Sequence, residues 1–505
     1  VTIESDGKAK AVQVVPPAIG TPYAPGTTNG NPAYVNVEIA YDPNTGYAVT
    51  FDHDDNYTLS VVAHKHDIGT NTFTSTGNRV TLSTASDDSG YRGWHLVYSP
   101  DLGKIVTVYT KDYVSGGDPN NGKFSRIISI DSSGNITLNT EEQICTAENS
   151  SLGQGGTNSN DKTSLAAGNG NIVFGAKRHG GTATTLWAAS VASGDTSLGW
   201  GSYADQSGHS STGDRGFRVM FLPEHSQFAF HYGGISAYSG SWSKDENVIQ
   251  VFTVSGTTAT LVGSKFEAAA YPRSNLYQAI DCLWLPGRGR FVFAWRVYTS
   301  SNIHNQYMKT VPWDGSSFGS VGNNFTWKTN SETIGAIGTD YNTSTTTSFV
   351  GNNVEKFAIY DVDASGTITE SSYTTTSSNI IHGSTIPNGS RPGPGPAGYV
   401  LYQTSKETSG QHYMLSAKIA SASTFAQWVG IAQSTVSDGA TVGIDLPGGV
   451  NSQQSGMTIE GQYYVQENGT ISTSTTAEKA GVALSATELL VADNTANVGQ
   501  FLTSA

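Results

Sequence analysis

Apolar and polar positions alternate along most of this chain in short runs, each closed by turn residues. One run reads Tyr41-Asp-Pro-Asn-Thr-Gly-Tyr-Ala-Val-Thr-Phe51: an apolar strand end, a tight turn, then a strand of period two. The same pattern returns as Tyr98-Ser-Pro-Asp-Leu-Gly-Lys-Ile-Val-Thr-Val-Tyr109, as Phe221-Leu-Pro-Glu-His-Ser-Gln-Phe-Ala-Phe-His-Tyr232 and as Trp284-Leu-Pro-Gly-Arg-Gly-Arg-Phe-Val-Phe-Ala-Trp295. Proline presets φ early in such a turn, and a following glycine supplies the dihedral that closes it. Weaker copies without the proline occur at Leu165–Phe174, Tyr341–Val350 and Pro396–Tyr402. The turn positions Gly46, Gly103, Gly170, Ser226, Gly289, Thr347 and Gly398 fall 51 to 67 residues apart, with Thr347 placed by spacing alone.

Each unit has a second half of two alternating strands around an Asp/Ser/Gly turn, as in Phe124–Leu138, Val248–Leu261, Gln306–Phe318 and Glu355–Ile368. A unit therefore holds four antiparallel strands. Repeated four-stranded units of this length predict propeller blades, whose apolar faces only their neighbours can cover. The pattern predicts an all-β chain: a seven-bladed β-propeller, with six or eight blades as alternatives, followed by a small C-terminal β-module. The expected divisions are a connecting strand and linker over 1–29, the propeller over 30–428 and the module over 429–505.

Composition agrees. Only 13% of the 505 residues are charged, and 58 are glycine. Gly, Ser, Thr and Asn all lower helix propensity. The net charge of −14, with no basic run, argues against a nucleic-acid partner. No apolar stretch has the length of a membrane span. Two cysteines, Cys145 and Cys282, make no metal or disulfide framework, and their pairing is left open. The chain begins at Val1, which leads to the expectation of an upstream segment.

In an up-and-down blade the tight turns emerge on one face of the ring. The longer segments emerge on the other: Lys111–Lys123, Asn139–Thr163, Ala204–Arg218, Gly233–Asn247 and Tyr298–Asn305. Long loops on a rigid scaffold are where recognition concentrates. Their aromatics Tyr113, Tyr238, Trp242 and Tyr298 lie among Gly, Ser, Asp and Asn, a mixture suited to stacking on sugar rings or partner surfaces. These four are the candidate ligand-binding residues.

Catalytic and metal patterns are weak. Ser86-Asp-Asp-Ser-Gly-Tyr-Arg-Gly-Trp94 approaches a sialidase Asp-box but has one residue too many and occurs once. No GxSxG, HExxH or P-loop sequence is present. Asp52-His-Asp-Asp-Asn56 has the alternating oxygens of a calcium loop without its glycine or distal glutamate. His64 and His66 alternate on one strand face and could present two imidazoles to a metal. The sequence implies no cofactor.

The C-terminal texture differs. Val429-Gly-Ile-Ala432, Asp438-Gly439, Ser455-Gly-Met-Thr458, Tyr463-Tyr-Val465, Asn468-Gly469 and Ala480-Gly-Val-Ala-Leu484 follow in order. This series resembles a terminal module of bacteriophage tail-fibre and other virion structural proteins, over about residues 426 to 495. The resemblance implies an extracellular virion location, other virion proteins as partners and a homo-oligomer, with a trimer favoured. With the propeller it implies a non-enzymatic fibre adhesin that recognises a host-surface glycan or protein through the long-loop face. The alternatives are a structural or decoration protein binding only virion partners, and a propeller glycosidase or depolymerase.

Overall fold

The computed structural model describes residues 2–3, 9–10, 18–20, 38–53, 58–68, 70–83, 94–111, 122–146, 163–177, 184–202, 204–206, 217–235, 245–267, 277–286, 288–300, 303–331, 336–338, 345–350, 354–363, 365–377, 393–396, 399–405, 412–418, 431–432, 444–445, 448–465, 471–473 and 479–491. The chain forms two compact units, one of residues 16–419 and one of 1–15 with 420–505.

The larger unit is the expected β-propeller. Blade 1 is a meander of Ile39–Asp42, Tyr47–His53, Leu59–Asp67 and Thr72–Ser83. Blade 2 is His95–Ser99, Lys104–Lys111, Gly122–Ile130 and Ile136–Leu138, with Glu142–Thr146 added alongside its third strand. Blades 3, 4, 5 and 6 repeat the meander from first strands Thr163–Gly168, Arg218–Leu222, Tyr277–Leu285 and Ala336–Gly338. Blade 7 contains Gly393–Pro394, Tyr399–Ser405 and His412–Lys418, and its fourth strand is Ala18–Ile19 from the other end of the chain.

First strands of adjoining blades lie side by side and so surround the ring's centre. Apolar cores fill the gaps between blades. Ala40 and Phe51 of blade 1 pack with Leu96 and Ile105 of blade 2. Met220 and Leu222 of blade 4 pack with Trp284 and Phe293 of blade 5. Ile39 and Tyr41 meet Leu401 and Met414 of blade 7. Alternation explains this: successive side chains of one strand face opposite neighbours, so each blade supplies half of two cores.

The turn grammar maps onto the backbone. Gly46, Gly103, Gly170, Ser226 and Gly289 all have φ between 51° and 74°. Ser226 shows that the position demands a left-handed residue rather than glycine as such. In the second turns, Asp131 Oδ1 accepts from the backbone N of Ser133 and Asn135 at 2.9 and 2.8 Å. Asp314 and Asp363 close their turns in the same way. Thr347 is misplaced in the sequence reading, for it lies within the strand Thr345–Val350. Gly398 lies outside the described residues.

The expected 1–29 linker contains the strand that completes blade 7. Ala18 and Ile19 pair with Lys418 and Ala417, and Gly20 N donates to Ser416 O at 2.8 Å. At this junction the His66 ring reaches Ser416 Oγ at 3.0 Å and Asn71 Oδ1 at 3.3 Å. A side chain on Gly20 has no room: its Cβ would stand 2.1 Å from the Asn71 carbonyl oxygen. Gly20→Ala is therefore expected to destabilise the protein by about 1–3 kcal/mol through forced displacement of the closing strand. Urea titration of the variant, with proteolysis near residue 20, checks this.

The smaller unit has a sheet in the order Val450–Asn451, Leu489–Val491, Lys479–Ala483, Gln462–Val465, Ile471–Ser472. Met457, Tyr463, Ala480, Ala483 and Leu489 form its core.

Candidate functional site in the ring of first strands

Four first strands carry an ionisable residue at one register position. The segments read Glu38-Ile-Ala-Tyr-Asp-Pro43, His95-Leu-Val-Tyr-Ser-Pro100, Arg218-Val-Met-Phe-Leu-Pro223 and Asp281-Cys-Leu-Trp-Leu-Pro286. In each, the ionisable residue stands three places before the aromatic that precedes the turn. The equivalent place in blade 3 is Ser164, next to Thr163. All five lie away from the tight turns, toward the end where the chain enters each blade. Glu38, His95, Thr163, Ser164 and Asp281 are buried.

Three of these groups form a relay across three blades. His95 Nδ1 lies 2.8 Å from Glu38 Oε1, and His95 Nε2 lies 2.6 Å from Thr163 Oγ1. Glu38 Oε2 also accepts from the backbone N of Leu96 at 3.2 Å. With Glu38 ionised its carboxylate can only accept, and the imidazole then carries its proton on Nδ1. In the neutral ring Nε2 is then an acceptor, directed at the Thr163 hydroxyl. Glu38 immediately precedes the first strand of blade 1, and His95 and Thr163 open the first strands of blades 2 and 3.

Arg218 and Asp281 link the next pair of blades, with Nη1 to Oδ2 at 2.7 Å. The register of the Asp281 strand slips between Ala279 and Asp281, a bulge of the kind that re-aims a side chain. Asp281 Oδ1 accepts from the backbone N of Cys282 at 2.8 Å. Buried charges persist only when paired and hydrogen-bonded. Asp281 meets that condition with Arg218, and Glu38 is hydrogen-bonded through both oxygens.

The arrangement has the parts of a nucleophilic centre: a hydroxyl, an imidazole that can take its proton, and a carboxylate that orients the imidazole. Other buried histidines do different work. His64 Nε2 contacts Thr50 Oγ1 at 3.1 Å, and burial lowers the imidazole pKa to about 4. His66 belongs to the blade 7 junction, and burial lowers its pKa as well. The two imidazoles that the sequence placed on one strand face are thus engaged with different partners. No group of three or more metal-ligating side chains occurs among the described residues. Cys145 and Cys282 are separate, buried thiols, both with pKa values raised by burial.

Of the residues chosen from sequence, Tyr113, Tyr238 and Trp242 lie outside the described residues. Tyr298 is corrected from loop to strand, since Arg290–Ser300 continues through it and pairs Tyr298 with His304. Two other loops are also shorter than expected. Glu142–Thr146 and Ala204–Gln206 are strands of blades 2 and 3. The Glu38, His95, Thr163, Arg218 and Asp281 layer was missed. Its signal was present, because aligning the turn motifs on their aromatics brings four ionisable residues into one column.

No family model matches the chain, and no curated protein matches it. Solved structures resemble it at the level of fold. A protein of Bacteroides fragilis described as a 6-phosphogluconolactonase shares 12% identity over 73% of this chain and 94% of its own, with a TM-score of 0.41. A periplasmic gluconolactonase of Pseudomonas aeruginosa shares 10% over 67% and 87%, with a TM-score of 0.40. An ulvan lyase, from a polysaccharide lyase family, shares 10% over 79% and 94%, with a TM-score of 0.45. These findings correct the expectation of a non-enzymatic virion fibre adhesin: the similar structures are named as lactonases and a lyase, and none of the three is named as a fibre protein.

Proposed function

We propose that this chain is a glycan-directed hydrolase that cleaves ester bonds, with Thr163 as nucleophile, His95 as base and Glu38 as the group that orients His95. The observation that carries this reading is the Glu38–His95–Thr163 relay, with contacts of 2.8 and 2.6 Å. In the reaction, His95 Nε2 takes the Thr163 hydroxyl proton while Oγ1 attacks the acyl carbon. The imidazolium, stabilised by Glu38, returns that proton to the departing sugar oxygen. Water then repeats the sequence on the acyl–threonine and releases the acid.

An ester suits the nucleophile better than a glycosidic bond does. Attack on a sugar's anomeric carbon would leave a threonine glycoside, an acetal no easier to hydrolyse than the original linkage. An acyl–threonine hydrolyses through the same base. The glycan class is supported by the Tyr and Trp residues set among Gly, Ser, Asp and Asn in the connecting segments, including Tyr113, Tyr238 and Trp242.

The test is hydrolysis of p-nitrophenyl acetate and release of acetate from O-acetylated polysaccharides by the full chain. Acid-quenched samples are expected to carry one acetyl group on the peptide containing Thr163, and Thr163→Ala should lose both adduct and turnover. Undiminished turnover in a folded Thr163→Ala protein would overturn the assignment.

A further inference from the structure

We infer that Arg218 is the anchor for a sugar carboxylate, so that the glycan taken by the ring is a uronic-acid polymer. This rests on the reading above, and it names the substrate class of that same site.

The argument begins with the donors of the guanidinium. Arginine carries five N–H groups in a planar fork and cannot lose its charge in a protein. Arg126 shows how this chain satisfies such a group. Its Nε bonds Tyr109 Oη, its Nη1 bonds the Asn139 carbonyl and its Nη2 approaches Glu141. Arg218 is different. Its side chain is 16% exposed, yet its hydrogen bonding among the described residues is limited to Nη1 on Asp281. The Nε and Nη2 edge is left unengaged there.

That edge is not among the buried unpartnered atoms, so solvent reaches it and a ligand can take the place of water there. The partner must accept, and a planar fork with a free edge matches a planar carboxylate through two parallel N–H bonds. Asp281 prepares the edge. One of its oxygens is fixed by the Cys282 backbone N and the other by Nη1, so the fork is held before any ligand arrives. Preorganisation of this kind limits the entropy lost on binding.

Arg218 is paired across the sheet with His231, whose Nε2 lies 2.7 Å from Asn247 Oδ1. Asp281 supplies one negative charge against the arginine's one positive, and it is already hydrogen-bonded through both oxygens. Arg218 also occupies the same register position as Glu38 and His95 in their own first strands. A carboxylate held at Arg218 therefore belongs to the same layer of the ring as His95, whose Nε2 meets Thr163 Oγ1 at 2.6 Å.

The experiment compares O-acetylated polygalacturonate with the same polymer after reduction of its carboxyl groups to alcohols. The full chain is expected to release acetate from the acidic polymer with kcat/KM roughly 10- to 100-fold higher than from the reduced one, the ratio for a charge-assisted hydrogen bond. Arg218→Gln should remove that preference, mainly through KM. Because this variant leaves Asp281 without its cation, the double variant Arg218→Gln with Asp281→Asn keeps a neutral pair in place and provides a second, folded comparison. Equal rates on the two polymers, or a preference that survives in the double variant, would overturn the inference. Hydrolysis of p-nitrophenyl acetate separates the two ideas. If the unmodified protein cleaves that ester but ignores polymer charge, the anchor is wrong and the hydrolase stands. If calorimetry detects Arg218-dependent binding of polygalacturonate without any ester cleavage, the anchor stands and the hydrolase is wrong.

Discussion

Acidification from pH 7 to pH 4 is expected to cost the folded protein about 3 kcal/mol, most of it through His64. Burial lowers this imidazole from its ordinary 6.5 to about 4, which means that the fold excludes the protonated form. Unfolded chains bind that proton near pH 6.5. Between pH 6.5 and 4 the unfolded state therefore holds more protons than the native one, and stability falls as pH falls. Above pH 6.5 both states are neutral and the contribution is complete; below about 4 both are charged and no further loss follows from this residue. His66, lowered by burial although Asn71 and Asp67 oppose the shift, acts in the same direction. Urea midpoints at half-unit pH steps measure the slope. His64→Gln should flatten it between pH 6.5 and 4, and an unchanged slope in that variant would show that the lost stability resides elsewhere. Both histidines lie on the third strand of blade 1, and His66 contacts Ser416 of the blade that the N-terminal strand completes. Acid is therefore expected to open the ring first at that junction, visible as early hydrogen exchange in His412–Lys418.

Local features of the propeller were legible because they are written within single turns. Gly46, Gly103, Gly170, Ser226 and Gly289 were found from short motifs, and each adopts the left-handed backbone the motif requires. Thr347 failed because spacing is a poor guide where no turn residue fixes the register. Ala18 and Ile19 could not be assigned to blade 7 from sequence, since their partners Lys418 and Ala417 lie some four hundred residues away. The expected connecting segment Tyr298–Asn305 overlaps a strand that continues to Ser300. The candidate site was hidden for another reason. Glu38, His95, Arg218 and Asp281 share a register but no common residue type, so a search for familiar catalytic spacing passes over them. Only the packing of successive blades brings these side chains within hydrogen-bonding distance. Repeat alignment could have placed the column; the pairing needed coordinates.

Glu38→Gln is expected to lower kcat for ester hydrolysis by about 10²- to 10⁴-fold while leaving the fold nearly unchanged. The reason lies in hydrogen-bond accounting at one carboxylate. Glu38 accepts from the Leu96 backbone N through Oε2 and from His95 Nδ1 through Oε1. A glutamine has one accepting oxygen and one donating nitrogen. Leu96 N–H cannot change its character, so the amide oxygen turns to it and the NH₂ faces His95 Nδ1. That nitrogen must now accept, and the imidazole proton moves to Nε2. Nε2–H then donates to Thr163 Oγ1 instead of receiving from it, and the base is gone although every heavy atom can stay in place. The Glu38→Gln protein should melt close to the parent, retain binding of the acidic polymer within about threefold, and lose the acetyl adduct on Thr163. An imidazole proton resonance tracking Nδ1–H in the parent and Nε2–H in the variant gives the direct reading. Should kcat survive with the tautomer switched, Thr163 would not depend on His95, and the relay would be a clasp between blades rather than a reaction centre.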